Sequence, residues 1–109
     1  MRKIIFLAMF FLILFGSFAQ ASPENQWLIG TWVDNDGDVW VFHNNGTVSL
    51  SWEPNTTFFY SINNSLNLLI FIYQSRNIWV TDAEEFFRIN DQQMVISWEG
   101  EFYFLNKRN

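Results

Sequence analysis

From residue 22 onward, no apolar period of 3.6 residues persists for ten residues before Gly, Pro or an Asn cluster interrupts it, so no helix is expected there. What recurs instead is a short run of aromatic and β-branched residues followed by Asn, Asp, Gly or Ser, the mark of antiparallel strands joined by tight turns. Strands are expected at residues 27–33, 39–43, 48–52, 58–62, 66–73, 78–81, 85–89, 94–98 and 101–105. Turns fall at Asn35-Asp36-Gly37, Asn44-Asn45-Gly46, Pro54-Asn55, Asn63-Asn64, Ser75-Arg76-Asn77, Asp91-Gln92 and Gly100.

Eight or nine such strands, with connections of about two to five residues, consume nearly all of residues 22–109. Val48, Leu50 and Trp52 alternate with Ser49 and Ser51, and Met94, Ile96 and Trp98 with Ser97 and Glu99, so one face is buried and the other wet. Residues 66–73 are apolar on both faces apart from Asn67 and need cover on both sides. A meander with short connections leaves two open edges unless it curls shut. The expected fold class is therefore all-β, a compact antiparallel up-and-down β-barrel whose interior is filled by side chains or holds one small ligand. Most of the strands are about half the nine to eleven residues that an outer-membrane barrel needs.

Residues 1–21 differ in kind. Met1-Arg2-Lys3, an apolar run over residues 4–15 and the small-residue site Ala19-Gln20-Ala21 follow the order of a signal peptide, a leader helix cleaved after Ala21. The run of about twelve falls short of the roughly twenty residues of a spanning helix, so no membrane anchor is expected after cleavage. The expectation is a secreted or periplasmic domain over residues 22–109. Cysteine is absent from the sequence, so neither a disulfide nor a lipidated N-terminal cysteine is available, and the core itself must be rich. It is, with 17 aromatic residues after position 21. Eleven acidic against four basic residues give this part −7, which disfavours nucleic acid and favours a basic protein partner.

Asp34-Asn35-Asp36-Gly37-Asp38 resembles the start of a calcium loop. Val39 and Asn45 stand where an EF-hand needs Gly and Glu, and an Asp-Gly hairpin turn is the better reading, so no metal site is expected. His43 is the only histidine, and neither Ser49 nor Ser51 lies in a nucleophile elbow. Glu99 and Glu101, like Glu84 and Glu85, read as solvated charges rather than as a glycosidase pair. No enzyme and no cofactor are expected. Asn45, Asn55 and Asn63 begin glycosylation triplets that read equally well as turn asparagines. The six tryptophans, Trp27, Trp32, Trp40, Trp52, Trp79 and Trp98, fall on six expected strands, as a shared interior would require. A lined apolar pocket or an exposed aromatic patch for a protein or glycan are the other readings.

Gly30-Thr31-Trp32, Trp40-Val41-Phe42, Asn45-Gly46-Thr47, Tyr60-Ser61-Ile62, Leu66-Asn67-Leu68, Phe86 to Ile89, Met94-Val95-Ile96 and Tyr103 to Lys107 together resemble the small lipocalin-like domains of exported bacterial proteins. The resemblance implies structural roles for Gly30, Gly46 and Trp32, with Trp32 plugging one barrel end beneath a basic residue of the last strand, Lys107 or Arg108. The chain is shorter than a full-size lipocalin, so a large cavity is not expected. Binding is the expected activity, with a small apolar ligand held by inward-facing Trp40, Phe42, Phe58, Tyr60, Phe71 and Phe87. The alternatives are a protein-binding envelope factor, such as an inhibitor of lysozyme or a protease, and a structural domain with a filled core.

Overall fold

Short antiparallel strands joined by tight turns are what the chain forms. A computed structural model describes residues 3–5 and 22–108. The strands are β1 (Lys3–Ile5), β2 (Gly30–Val33), β3 (Val39–Phe42), β4 (Thr47–Leu50), β5 (Phe58–Asn63), β6 (Leu68–Ser75), β7 (Ile78–Asn90), β8 (Gln93–Trp98) and β9 (Glu101–Arg108). Sequence neighbours pair antiparallel from β2 through to β9. Pairing of β2 with β9 then completes an up-and-down barrel of eight strands, β2 to β9.

Turn chemistry sets the registers. Arg76 and Asn77, with φ of 52° and 65°, form the two-residue turn between β6 and β7, and Glu99 and Gly100, at 53° and 81°, the one between β8 and β9. Positive φ at both positions gives a turn whose twist matches that of the strands. Gly46, at φ 89°, donates its N–H to the His43 carbonyl at 3.3 Å, and its own carbonyl accepts from the Tyr60 N–H at 3.0 Å, tying the β3–β4 turn to β5.

Four expectations need correction. Residues 78–81 and 85–89 belong to one strand of thirteen residues, because Asp82 and Glu84 continue it while facing inward. Carboxylates in a strand ordinarily mark its wet face, yet here Asp82 is fully buried and accepts a hydrogen bond from the Tyr73 hydroxyl at 3.1 Å. Trp27 lies not on the first strand but in a 3-10 helix, Pro23–Leu28, which proline starts from its first turn and which buries Trp27 and Leu28. Leu66, expected to begin a strand, sits exposed in a turn that the Asn63 side chain closes on its N–H. Trp52 lies just past β4, 39% exposed. The expected leader falls outside the described residues except for Lys3–Ile5. There the backbone is not helical but pairs antiparallel with Val80, Thr81 and Asp82, on an edge that β8 does not reach.

The interior is built from rings. Trp32, Trp40, Phe42, Leu69, Phe71, Met94, Ile96 and Leu105 are at most 1% exposed. The 3-10 helix closes one end. Trp27 meets Trp32 edge-on at 6.1 Å and stacks on Phe86 at 6.2 Å, while the Trp32 indole N–H donates to the Leu28 carbonyl at 2.9 Å. Trp32 and Lys107 are register partners on β2 and β9, so both point into this end. The Lys107 ammonium lies 5.6 Å from the Trp32 ring and donates to the Trp27 carbonyl at 2.7 Å. Lys107 is thus the basic residue that covers Trp32, and Arg108 is exposed, paired with Thr31 through the backbone. Arg88 adds a second lid over Trp27, 4.6 Å from its centroid, and is ion-paired to Asp91.

Gly30 explains why glycine precedes Thr31-Trp32. Its φ of 137° suits glycine alone, and a Cβ there would lie 2.8 Å from Cε of Lys107. Gly30→Ala and Lys107→Ala are each expected to destabilise by about 1–3 kcal/mol. Because both dislodge the same ammonium, urea melts should show the double variant losing less than the sum of the two. Trp32→Ala should cost about 3–5 kcal/mol in the same assay.

Candidate functional site

Strand direction assigns the loops to two ends. The 3-10 helix and the β3–β4, β5–β6 and β7–β8 turns surround the plugged end, and the β2–β3, β4–β5, β6–β7 and β8–β9 connections surround the other, the mouth. The mouth holds a cleft of about 390 Å³ lined by Leu50, Trp52, Phe58, Tyr73, Val80 and Trp98, with Glu53, Thr56, Gln74, Ser75 and Glu99 around them. Ring packing makes its floor. Trp52 and Trp98 both stand edge-on to Trp40, at 5.1 and 5.8 Å, and Phe58 lies 4.8 Å from Tyr73.

The six residues expected to bind a ligand separate into three groups. Phe58 lines the cleft. Trp40, Phe42, Tyr60 and Phe71 face inward as expected but pack on one another below it. Trp40 lies 6.5 Å from Phe42 and 6.3 Å from Phe71, and Phe42 lies 5.1 Å from Tyr60. Phe87 contradicts the inward expectation. It is 67% exposed on the outer face, because Phe86, its neighbour, takes the inward position. Trp52, Tyr73 and Trp98 line the mouth instead. Tyr73 ended an expected strand and Trp98 shared the inward parity of Met94 and Ile96, so parity was the signal available.

The Asp34 loop is a structural device. Asp34 is buried, and its Oδ1 accepts the N–H groups of Asp36 and Asp38 at 2.8 and 2.9 Å, while Oδ2 accepts the Trp40 indole N–H at 2.9 Å. Those contacts hold the indole against which the cleft residues Trp52 and Trp98 stand. Asn35 adds a tie by accepting the Phe104 N–H at 3.0 Å. His43 Nε2 does meet Ser49 Oγ at 3.0 Å, on the exposed outer surface, but no carboxylate hydrogen-bonds the ring among the described residues. Glu84 is buried and its neighbour Glu85 exposed on the opposite face of β7, so these side chains diverge. Asn45 Oδ1 accepts both the N–H and the hydroxyl of Thr47, as a turn asparagine does.

A second surface was not anticipated. Phe87, Val95 and Phe104 form one cross-strand row on the outer face of β7, β8 and β9, with Phe102, Ile89 and Leu66 exposed beside it. A shallow cleft of about 290 Å³ runs between Leu66, Phe87, Val95 and Phe102. The parity of β9 could have revealed it. If Lys107 covers Trp32, then Tyr103 and Leu105 share its inward face, and Phe102 and Phe104 must face out.

Two tyrosines report on the interior. Tyr60 donates its hydroxyl to the His43 carbonyl at 3.0 Å, and burial pushes its pKa up to about 12. Tyr103 is also raised, by burial first and then by the nearby carboxylates of Glu101, Asp36 and Asp34. The folded state resists ionisation of Tyr60, so the stability its neutral phenol contributes is complete below about pH 10 and is lost as pH rises toward 12. Urea melts across that window should show a shallower loss for Tyr60→Phe than for the parent chain. Asp34→Ala should lower stability by about 2–4 kcal/mol and, by freeing the Trp40 indole, shift the tryptophan emission. Compared with protein families, curated proteins and solved structures, the chain finds no match in any of the three.

Proposed function

We propose that this chain is an exported, lipocalin-like binding protein that holds a small, largely apolar molecule at the open end of its barrel. The observation that carries the reading is the aromatic cleft at the mouth, open to solvent while the other end is sealed by Trp27, Trp32, Arg88 and Lys107. Concave, ring-lined sites with a few polar groups are where proteins bind small molecules. The buried rings beneath it leave the ligand to rest against Trp52, Phe58, Tyr73 and Trp98 rather than enter the barrel centre. Export rests on the composition of residues 1–21, and mass spectrometry of the secreted product should find Ser22 at its N-terminus.

A neutral naphthylamine dye should brighten on binding. Trp52→Ala removes a ring that is 39% exposed at the mouth, and it is expected to weaken the dye by about tenfold. Phe87→Ala, on the outer face, should leave the dye's affinity unchanged. Equal binding by all three proteins would count against the mouth.

A protein partner is the second reading, and the outer row of Phe87, Val95 and Phe104 favours it, since contiguous exposed apolar surface marks docking sites. A basic enzyme such as lysozyme would be steered by the −7 charge and held more weakly as salt rises.

A further inference from the structure

The carboxylates are not spread evenly over the barrel. Asp34, Asp36 and Asp38 lie on the β2–β3 connection, Glu53 on β4–β5, Glu99 in the β8–β9 turn and Glu101 just after it, so six acidic residues surround the mouth. Arg76, at the tip of the β6–β7 hairpin, is the single basic residue at that end among the described residues. Asp34 is spent on the loop and on Trp40, and Asp38 accepts the Ser51 hydroxyl at 3.4 Å. Glu53 and Glu99 differ in where they lie, although Glu53 Oε1 accepts the Thr56 hydroxyl at 3.3 Å. Both are exposed, and both line the cleft itself, reaching it from separate loops. Every charged residue lining the cleft is therefore an acid, set beside the indoles of Trp52 and Trp98.

Such a lining ranks ligands by charge. An anion meets repulsion from Glu53 and Glu99 and gains nothing from the rings. A neutral apolar molecule gains the rings but obliges both carboxylates to keep their water. A cation on an apolar body gains on both counts, since ring faces attract positive charge and carboxylates lie beside them. We propose, building on the reading of the mouth as a small-molecule site, that its ligand is an organic cation, an amine or quaternary ammonium carried on a small aromatic or aliphatic body. Glu53 and Glu99 supply the charge selection, and Trp52 and Trp98 grip the apolar part.

The test compares three probes of one shape on the exported protein: benzyltrimethylammonium, benzyl alcohol and benzenesulfonate, each followed by tryptophan fluorescence and calorimetry. The cation should bind about tenfold tighter than the alcohol, with the sulfonate weakest, a margin that two exposed charge contacts and a cation–π contact can supply. In Glu53→Gln/Glu99→Gln the cation's advantage over the alcohol should vanish, while the alcohol's own affinity stays the same. Added salt should weaken the cation alone. Equal affinities for the three probes would overturn charge selection and leave the mouth reading standing. A cation advantage that survives the double substitution would also overturn the assignment to these carboxylates. Absence of binding by any probe at millimolar concentration would remove the mouth reading and this inference together.

Discussion

Closure of the barrel depends on one strand changing partners along its length. The first eight residues of β7, Ile78 to Glu85, pair with β6, and from Phe86 the strand pairs with β8, with the register shifting between Arg88 and Asn90. A shorter β7 would leave β6 and β8 unconnected, and a meander of this kind with two free edges is prone to pair with other chains. The same change of partner places Phe86 against Trp27 at the sealed end and Val80 in the cleft at the open one. Plug and mouth are thus two ends of a single strand's path.

Without cysteine, the energy that a small domain could draw from disulfides has to come from packing. The aromatic side chains answer this in a particular way: nearly every large interior ring touches another at an angle, which adds to the gain from burial alone. Their polar atoms are used as well. The Trp32 and Trp40 indoles, and the Tyr60 hydroxyl, each donate to an oxygen that anchors a neighbouring segment, so the core also fixes the 3-10 helix and the Asp34 loop.

Much of the fold was legible because period-two alternation is a local signal. Val48 and Leu50, or Met94 and Ile96, declare the inner face within five residues, and the glycine and asparagine turns fix where each strand ends. Alternation fails where both faces are apolar, and Phe86-Phe87 and residues 102–105 show how. Only a long-range pairing, Lys107 against Trp32, decides which ring of such a pair points inward, and that pairing is not a property of either segment. Asp82 and Glu84 mislead for the opposite reason: a buried acid looks like a loop residue until its surroundings are known. The residues of the mouth were hidden further, since a site assembled from five strands and two connections has no contiguous motif. Trp32 and a basic residue over it, Lys107 or Arg108, could be expected in advance from the resemblance, and the register decides for Lys107.

Arg88, Lys107 and Arg108 stand at the sealed end with Glu24 and Asp91, which offset two of their charges, while six acidic residues and Arg76 stand around the open one. Arranged along the barrel axis, they make the molecule a permanent electric dipole far larger than its strands alone supply, since strand dipoles largely cancel. Near an anionic surface such a body feels a torque as well as a push: its net charge holds it away, while its strongly negative open end turns from the surface. The opening is then presented to the surrounding fluid, and approach to it is governed by that orientation before any contact is made.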